Sequence, residues 1–176
     1  MRSQDLNGDA PTDGVPSGSA STDDTPIGDA SISSAPIDDA LFDRLVREAR
    51  AIAPRAYTPY SHFQVGAAAL VDDGRVVTGC NVENAGYGVT LCAECGLISS
   101  LIAGGGGRLR AFACVGGPEH ADESRPVVMP CGRCRQLLSE HAAADFTILS
   151  PQGPLTVQQM LPQAFGPANL QEETHD

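Results

Sequence analysis

The sequence has no lysine: its eleven cationic side chains are all arginine. That removes Schiff-base chemistry on a lysine amine, and it removes the lysine of a phosphate-binding P-loop. Positive charge is scarce in general, since 22 acidic residues against 11 arginines leave a formal net charge of −11. Nucleic-acid-binding domains usually gather basic residues into a stripe that displaces counterions from phosphates. No such stripe is present, so a small uncharged substrate fits this chain better than a polynucleotide. Long apolar runs are missing too, and no segment is expected to span a bilayer. The N-terminus lacks the charged-then-apolar pattern of a secretory signal. Together these absences predict a cytoplasmic protein with no nucleic-acid and no membrane partner. None of the four histidines, His62, His120, His141 and His175, begins a His-x-Glu motif.

Residues 1–36 are set apart by composition. They are rich in Ser, Thr, Gly, Pro and Asp, with six Asp against one Arg. Such a stretch cannot bury enough apolar surface to offset the entropy of ordering, and a disordered acidic tail is expected there. Residues 37–176 are expected to form one domain. About 140 residues bury roughly two-thirds of their unfolded surface, enough to stand without disulfides.

Within that domain Asp38 is a candidate N-cap. Leu41, Leu45, Val46 and Ala49 then recur at helical spacing, ending before Pro54. Phe63 to Thr78 reads as a β-hairpin turning at Asp73-Gly74, with Phe63, Val65, Ala67 and Ala69 on one face. A helix is expected over 92–103, stopped by Gly104 to Gly107, and a third strand over 109–115. A helix over 131–143 follows, then a strand over 146–149, a short fifth strand over 155–157 and one helical turn over 158–161. Strands alternating with helices predict a three-layer α/β/α sandwich around a mixed sheet of roughly five strands.

Six cysteines in a chain without a secretory pattern point to metal binding or catalysis before disulfides. Cys80 and Cys114 lie in strand-like apolar surroundings and read as buried thiols. Cys131 and Cys134, three apart at a helix start, can aim both sulfurs at one point, and Cys92 opens the other helix. Zinc favours thiolates in a tetrahedron, and three protein ligands leave one position for solvent, the mark of a catalytic site. Helix N-termini add N–H groups and a positive dipole end that favour thiolates. Glu94, two residues past Cys92, is placed to carry protons beside the metal. The main rival is a structural four-cysteine site that takes Cys95 as the fourth ligand. A redox Cys-x-x-Cys is disfavoured because no thioredoxin-like strand precedes Pro130.

Cys92-Ala93-Glu94 followed by Pro130-Cys131-Gly132-Arg133-Cys134 is similar to the three-cysteine signature of zinc deaminases. With Tyr60 to Ala68, Gly79-Cys80-Asn81-Val82-Glu83-Asn84, Arg135-Gln136 and Leu161 to Phe165, the chain resembles the small homotetrameric cytidine deaminases from about Leu41 to Phe165. The resemblance implies one Zn2+ per chain on Cys92, Cys131 and Cys134, with Glu94 as the proton carrier. It implies hydrolysis of cytidine and deoxycytidine to uridine and deoxyuridine, as in pyrimidine salvage. Asn81 and Glu83 would bind the ribose hydroxyls, Phe63 would wall the nucleoside, and backbone at Ala93 would read the pyrimidine edge. Tyr87 and Phe165 would reach a neighbouring subunit's site, in a homotetramer with shared sites. Arg133, Arg135 and Gln136 would support the ligands. Many relatives carry Arg where this chain has Cys95, and Arg133 or Arg135 is expected to balance the thiolate charge instead. Two alternatives use the same motifs: deamination of a modified cytosine nucleoside such as an aminoacyl-nucleoside antibiotic, and a non-catalytic zinc protein. A polynucleotide editor is a weaker third.

Overall fold

The computed structural model describes residues 36–121 and 124–170; the expected acidic tail, all but Pro36, therefore lies outside the described residues. Helix α1 spans Asp39–Ile52. Its N-cap is Asp38, whose Oδ1 accepts from the Leu41 N–H at 2.9 Å. That bond satisfies one of the donors a helix start leaves without an internal partner. One apolar stripe of α1, Leu41, Phe42, Leu45 and Ala49, is buried. Phe42 belongs to it although the sequence pattern passed over it, while Val46 is only partly covered. A 3-10 turn over Ala53–Arg55, with Pro54 inside it, ends the helix.

The sheet has five strands: β1 Phe63–Val71, β2 Val76–Cys80, β3 Leu109–Pro118, β4 Ala142–Ser150 and β5 Gly153–Thr156. Their spatial order is β2-β1-β3-β4-β5. Only β3 and β4 run parallel; the other neighbours are antiparallel. Helix α2 (Ala93–Ala103), helix α3 (Gly132–His141) and the short α4 (Val157–Met160) complete the fold. One core lies between α1 and one face of the sheet, joining Leu45 and Ala49 to Ala68, Leu70, Ala111 and Ala113. The other joins Ala67, Ala69, Phe112 and Ile148 to Leu97, Leu101, Leu138 and Met160. This is the expected three-layer sandwich with a mixed sheet, and alternate residues of β1 feed its two cores.

Several element ends differ from the sequence pattern, the largest shifts falling at two places. The helix expected to reach residue 143 stops at His141, because Ala142 opens β4 and pairs with Leu109. The third strand continues past Val115 through Gly116 and Gly117 to Pro118, paired along β1 as far as Phe63. Glycines read as breakers, but here Gly116 is needed within the strand. A Cβ on it would meet Phe63 Cε1 at 2.8 Å. The bare backbone is what gives the Phe63 ring its seat.

Candidate metal centre

The two helices on the second face bring the cysteines together. Cys92 is the N-cap of α2 and Cys131 the N-cap of α3. Cys134 lies in the first turn of α3 and is fully buried. The α2 start is pressed onto β2 at Gly79, where any Cβ would run into Ala93 O and Leu97 N. The α3 start is held from behind: the Arg135 Nε–H donates to Pro130 O at 2.9 Å, and its Nη1–H donates to Met160 O at 3.3 Å.

The sulfurs of Cys92, Cys131 and Cys134 all lie within 4.8 Å of one another. Three thiolates at about 2.3 Å from zinc stand about 3.8 Å apart in a tetrahedron, so a small contraction fits them to the ion. Among the described residues no fourth His, Cys, Asp or Glu joins the group, and Cys95 stays outside it. A closed four-cysteine site is therefore not what these residues form. Glu94 is 3 % exposed and sits in the first turn of α2 beside the sulfurs.

The thiols differ in readiness to ionise. Burial opposes ionisation at Cys131, yet its thiol is held below the ordinary range. The N–H groups of Cys134 and Arg133 and the thiols of Cys134 and Cys92 outweigh the burial. Burial pushes the Cys92 thiol up; a hydrogen bond with Cys134 works against this, and charge on Cys131 and Glu94 adds to it. Burial, then the charge and contact of Glu94, drive Cys134 far up. Helix-start N–H groups thus favour one thiolate at the exposed sulfur, and metal is needed to displace the remaining protons.

Residues 41–150 match the family described as the cytidine and deoxycytidylate deaminase zinc-binding region. The chain belongs to this family. A cytidine deaminase of Mycobacterium tuberculosis is 56 % identical over 125 residues, covering 71 % of this chain and 90 % of the relative. The crystal structure of cytidine deaminase from that organism matches with a TM-score of 0.64 and 54 % identity, over 71 % of this chain and 97 % of the other. A blasticidin-S deaminase from Bacillus cereus is more distant, 32 % identical over 106 residues, covering 57 % of this chain and 76 % of the relative. With the family's zinc-binding region matched and the sulfurs converging, this deaminase-family chain is a zinc protein.

The remaining expected site residues spread outward from the sulfurs. Ala93 is buried at the start of α2, and Phe63 is 42 % exposed over Gly116. Glu83 is anchored: its Oε2 accepts from the N–H groups of Tyr60 at 3.0 Å and Ser61 at 3.1 Å. A Ser61 side-chain hydrogen bond, aided by these N–H groups, holds its carboxyl below the usual carboxylate value. Glu83 lines a cleft of about 300 Å³ with Tyr60, Ser61, Asn84, Tyr87 and Thr90. Asn81 is occupied by the edge of β1, accepting from Val65 N–H at 2.8 Å and donating to Phe63 O at 3.0 Å. One lone pair and one amide hydrogen are left for another partner. Gln136 donates to Phe165 O at 2.8 Å, tying α3 to the C-terminal segment rather than touching the sulfurs. Tyr87 is 78 % exposed and Phe165 60 % exposed.

Two cysteines outside the cluster also add what the sequence pattern did not carry. Cys80 is half-buried, not fully covered as expected. Cys114 is buried as expected, but its neighbours are Glu94 and Val128, which no local motif signals.

Proposed function

We propose that this chain is a zinc-dependent hydrolase that deaminates cytidine and deoxycytidine to uridine and deoxyuridine, serving pyrimidine salvage in the cytoplasm. Three thiols converging from two helix starts beside a buried carboxyl support this best. Bound by Cys92, Cys131 and Cys134, zinc would supply a Lewis acid that brings the pKa of a water to about 7.

The chain's own residues do the rest. Glu94 takes a proton from the attacking water and hands it to ring N3, so that water oxygen adds to C4. Glu94 then takes the proton of the new C4 hydroxyl and delivers it to the exocyclic nitrogen; the C4–N4 bond breaks, ammonia leaves and C4 keeps the oxygen as a carbonyl. Its burial keeps bulk water from competing for that proton. Phe63 packs on the nucleoside, and backbone at Ala93 meets the pyrimidine edge. Asn81 and Glu83 take the ribose hydroxyls, Glu83 with the oxygen that Tyr60 and Ser61 leave available. Arg135 holds the Pro130–Cys131 turn through carbonyl oxygens, and Arg133 presents an N–H to Cys131. Tyr87 and Phe165, exposed in one chain, complete the site of a neighbour in a homotetramer.

An ammonia-release assay on cytidine, deoxycytidine, CMP and cytosine, with zinc counted per chain, tests the proposal. Turnover of the two nucleosides is expected. Glu94→Gln should keep its zinc and lose at least two orders of magnitude in kcat. Zinc retained with no ammonia from any cytosine compound would instead mark a non-catalytic zinc protein.

A further inference from the structure

Cys114 lies outside the cysteine signature motifs. It sits on β3, 1 % exposed, in the same core as Leu97, Leu101 and Leu138. Beyond the stretch of β3 that pairs with β4, a short segment runs beside it. Gly116 N–H donates to Pro126 O at 3.1 Å, and Val128 N–H donates to Cys114 O at 3.0 Å. Val115 and Val127 form an antiparallel bridge between these bonds. The Cys114 thiol adds a further tie by donating to Val128 O at 2.9 Å. Both the carbonyl and the sulfur of one residue thus grip one residue of the segment. Three positions beyond Val128 the segment delivers Cys131.

The same sulfur also lies against Glu94. Burial, then the nearby Glu94 charge and contact, push the Cys114 thiol well up, so it stays protonated across the working range. Kept protonated, the thiol presents its S–H to two acceptors, Val128 O and the Glu94 carboxylate, and brings no negative charge to either. It lies against the carboxyl as a neutral partner and adds no second negative charge beside Glu94.

We infer that Cys114 is a positioning residue of the deamination site, its buried thiol fixing, through Val128, the segment that carries Cys131, beside Glu94. This rests on the proposed role of Glu94. Removing a group bonded directly to a metal ligand costs about 10- to 100-fold in metal affinity or activity, and Cys114, acting through Val128, is expected at the low end of that range.

The test compares Cys114→Ala, Cys114→Ser and Cys114→Val with the unmodified chain, each zinc-loaded. Two quantities are read: steady-state kcat and KM for cytidine, and the rate of zinc transfer to a chromogenic chelator. Cys114→Ala should lower kcat about tenfold with KM little changed, and should speed zinc transfer about tenfold. Cys114→Ser, which keeps a donor for Val128 O, should recover most of both; Cys114→Val, which keeps volume without a donor, should not. Wild-type kcat and zinc transfer in Cys114→Ala would overturn the inference, as would recovery by valine but not by serine. Glu94→Gln, run alongside, separates the two claims. An active Glu94→Gln removes the role of Glu94 itself, whereas an inactive one with silent Cys114 variants removes only the role of Cys114.

Discussion

At Cys131 the chain makes its least protected commitment: an exposed sulfur at a helix start that depends on backbone N–H groups and on two neighbouring thiols. Cys131→Ser replaces a soft thiolate by a hydroxyl that seldom ionises, so zinc per chain should fall after dialysis against a mild chelator, with activity falling in proportion. Zinc added back to a stripped wild-type chain should restore turnover. Cys92 and Cys134 must shed protons to bind, so retention should weaken steadily as pH is lowered. Glu83 has a different dependence. Its folded-state pKa is depressed, so its contribution to stability is present above the unfolded value of about 4.5 and is lost as pH falls through the lower folded value. Glu83→Gln should therefore flatten the acid limb of a urea-midpoint-against-pH curve. In kinetics it should raise KM for cytidine about tenfold with a smaller change in kcat, as expected when ground state and transition state are bound alike.

Elements set what single residues cannot. Helix α2 can approach β2 only because Gly79 has no side chain, and that approach fixes the height of Cys92 and Glu94 above the sheet. Gly79→Ala should cost roughly 3 kcal/mol of stability in chemical denaturation, and zinc retention should fall with it. Asp38→Ala, at the far side of the sheet, should cost only about 1 kcal/mol and leave zinc untouched. The contrast separates general weakening from displacement of the α2 start. Elements were also where the sequence was most legible. The α1 stripe, the hairpin at Asp73-Gly74 and both cysteine-bearing helix starts follow from periodicity, capping and turn chemistry acting over a few residues. The α3–β4 junction was not legible, because alanines favour helix until pairing with Leu109 decides otherwise. Nor were the seat of Phe63 on Gly116, the grip of Tyr60 and Ser61 on Glu83, or the place of Cys114. Each depends on which strands and loops lie side by side, and no residue's neighbours in sequence carry that information. The three sulfurs were legible because their chemistry, not their neighbours, demands convergence.

On the scale of the whole molecule, apolar surface and charge distribution matter most. Tyr60, Tyr87, Val89, Leu91 and Phe165 are all exposed in the single chain, and Tyr60 and Tyr87 meet edge-to-face with ring centroids 6.5 Å apart. Aromatic side chains left in this way favour burial against another surface. Sedimentation is expected to show a tetramer, and Tyr87→Asp together with Phe165→Asp should yield smaller species with depressed activity. Residues 1–35 precede the family match, which begins at residue 41. Removing them should leave zinc content and kcat/KM unchanged. Among the described residues no helix is long and apolar enough to cross a membrane.

The graded exposure of the cysteines also makes the chain a reporter of its own occupancy. Cys131 is open to solvent, Cys92 half-covered, and Cys134 and Cys114 sealed. With the ion stripped away, an alkylating reagent would tag Cys131 first, Cys92 more slowly and the sealed pair only once the polypeptide unfolds. Peptide mass mapping of the tagged sites would then show, cysteine by cysteine, how much of a preparation had lost its metal and how much had lost its shape.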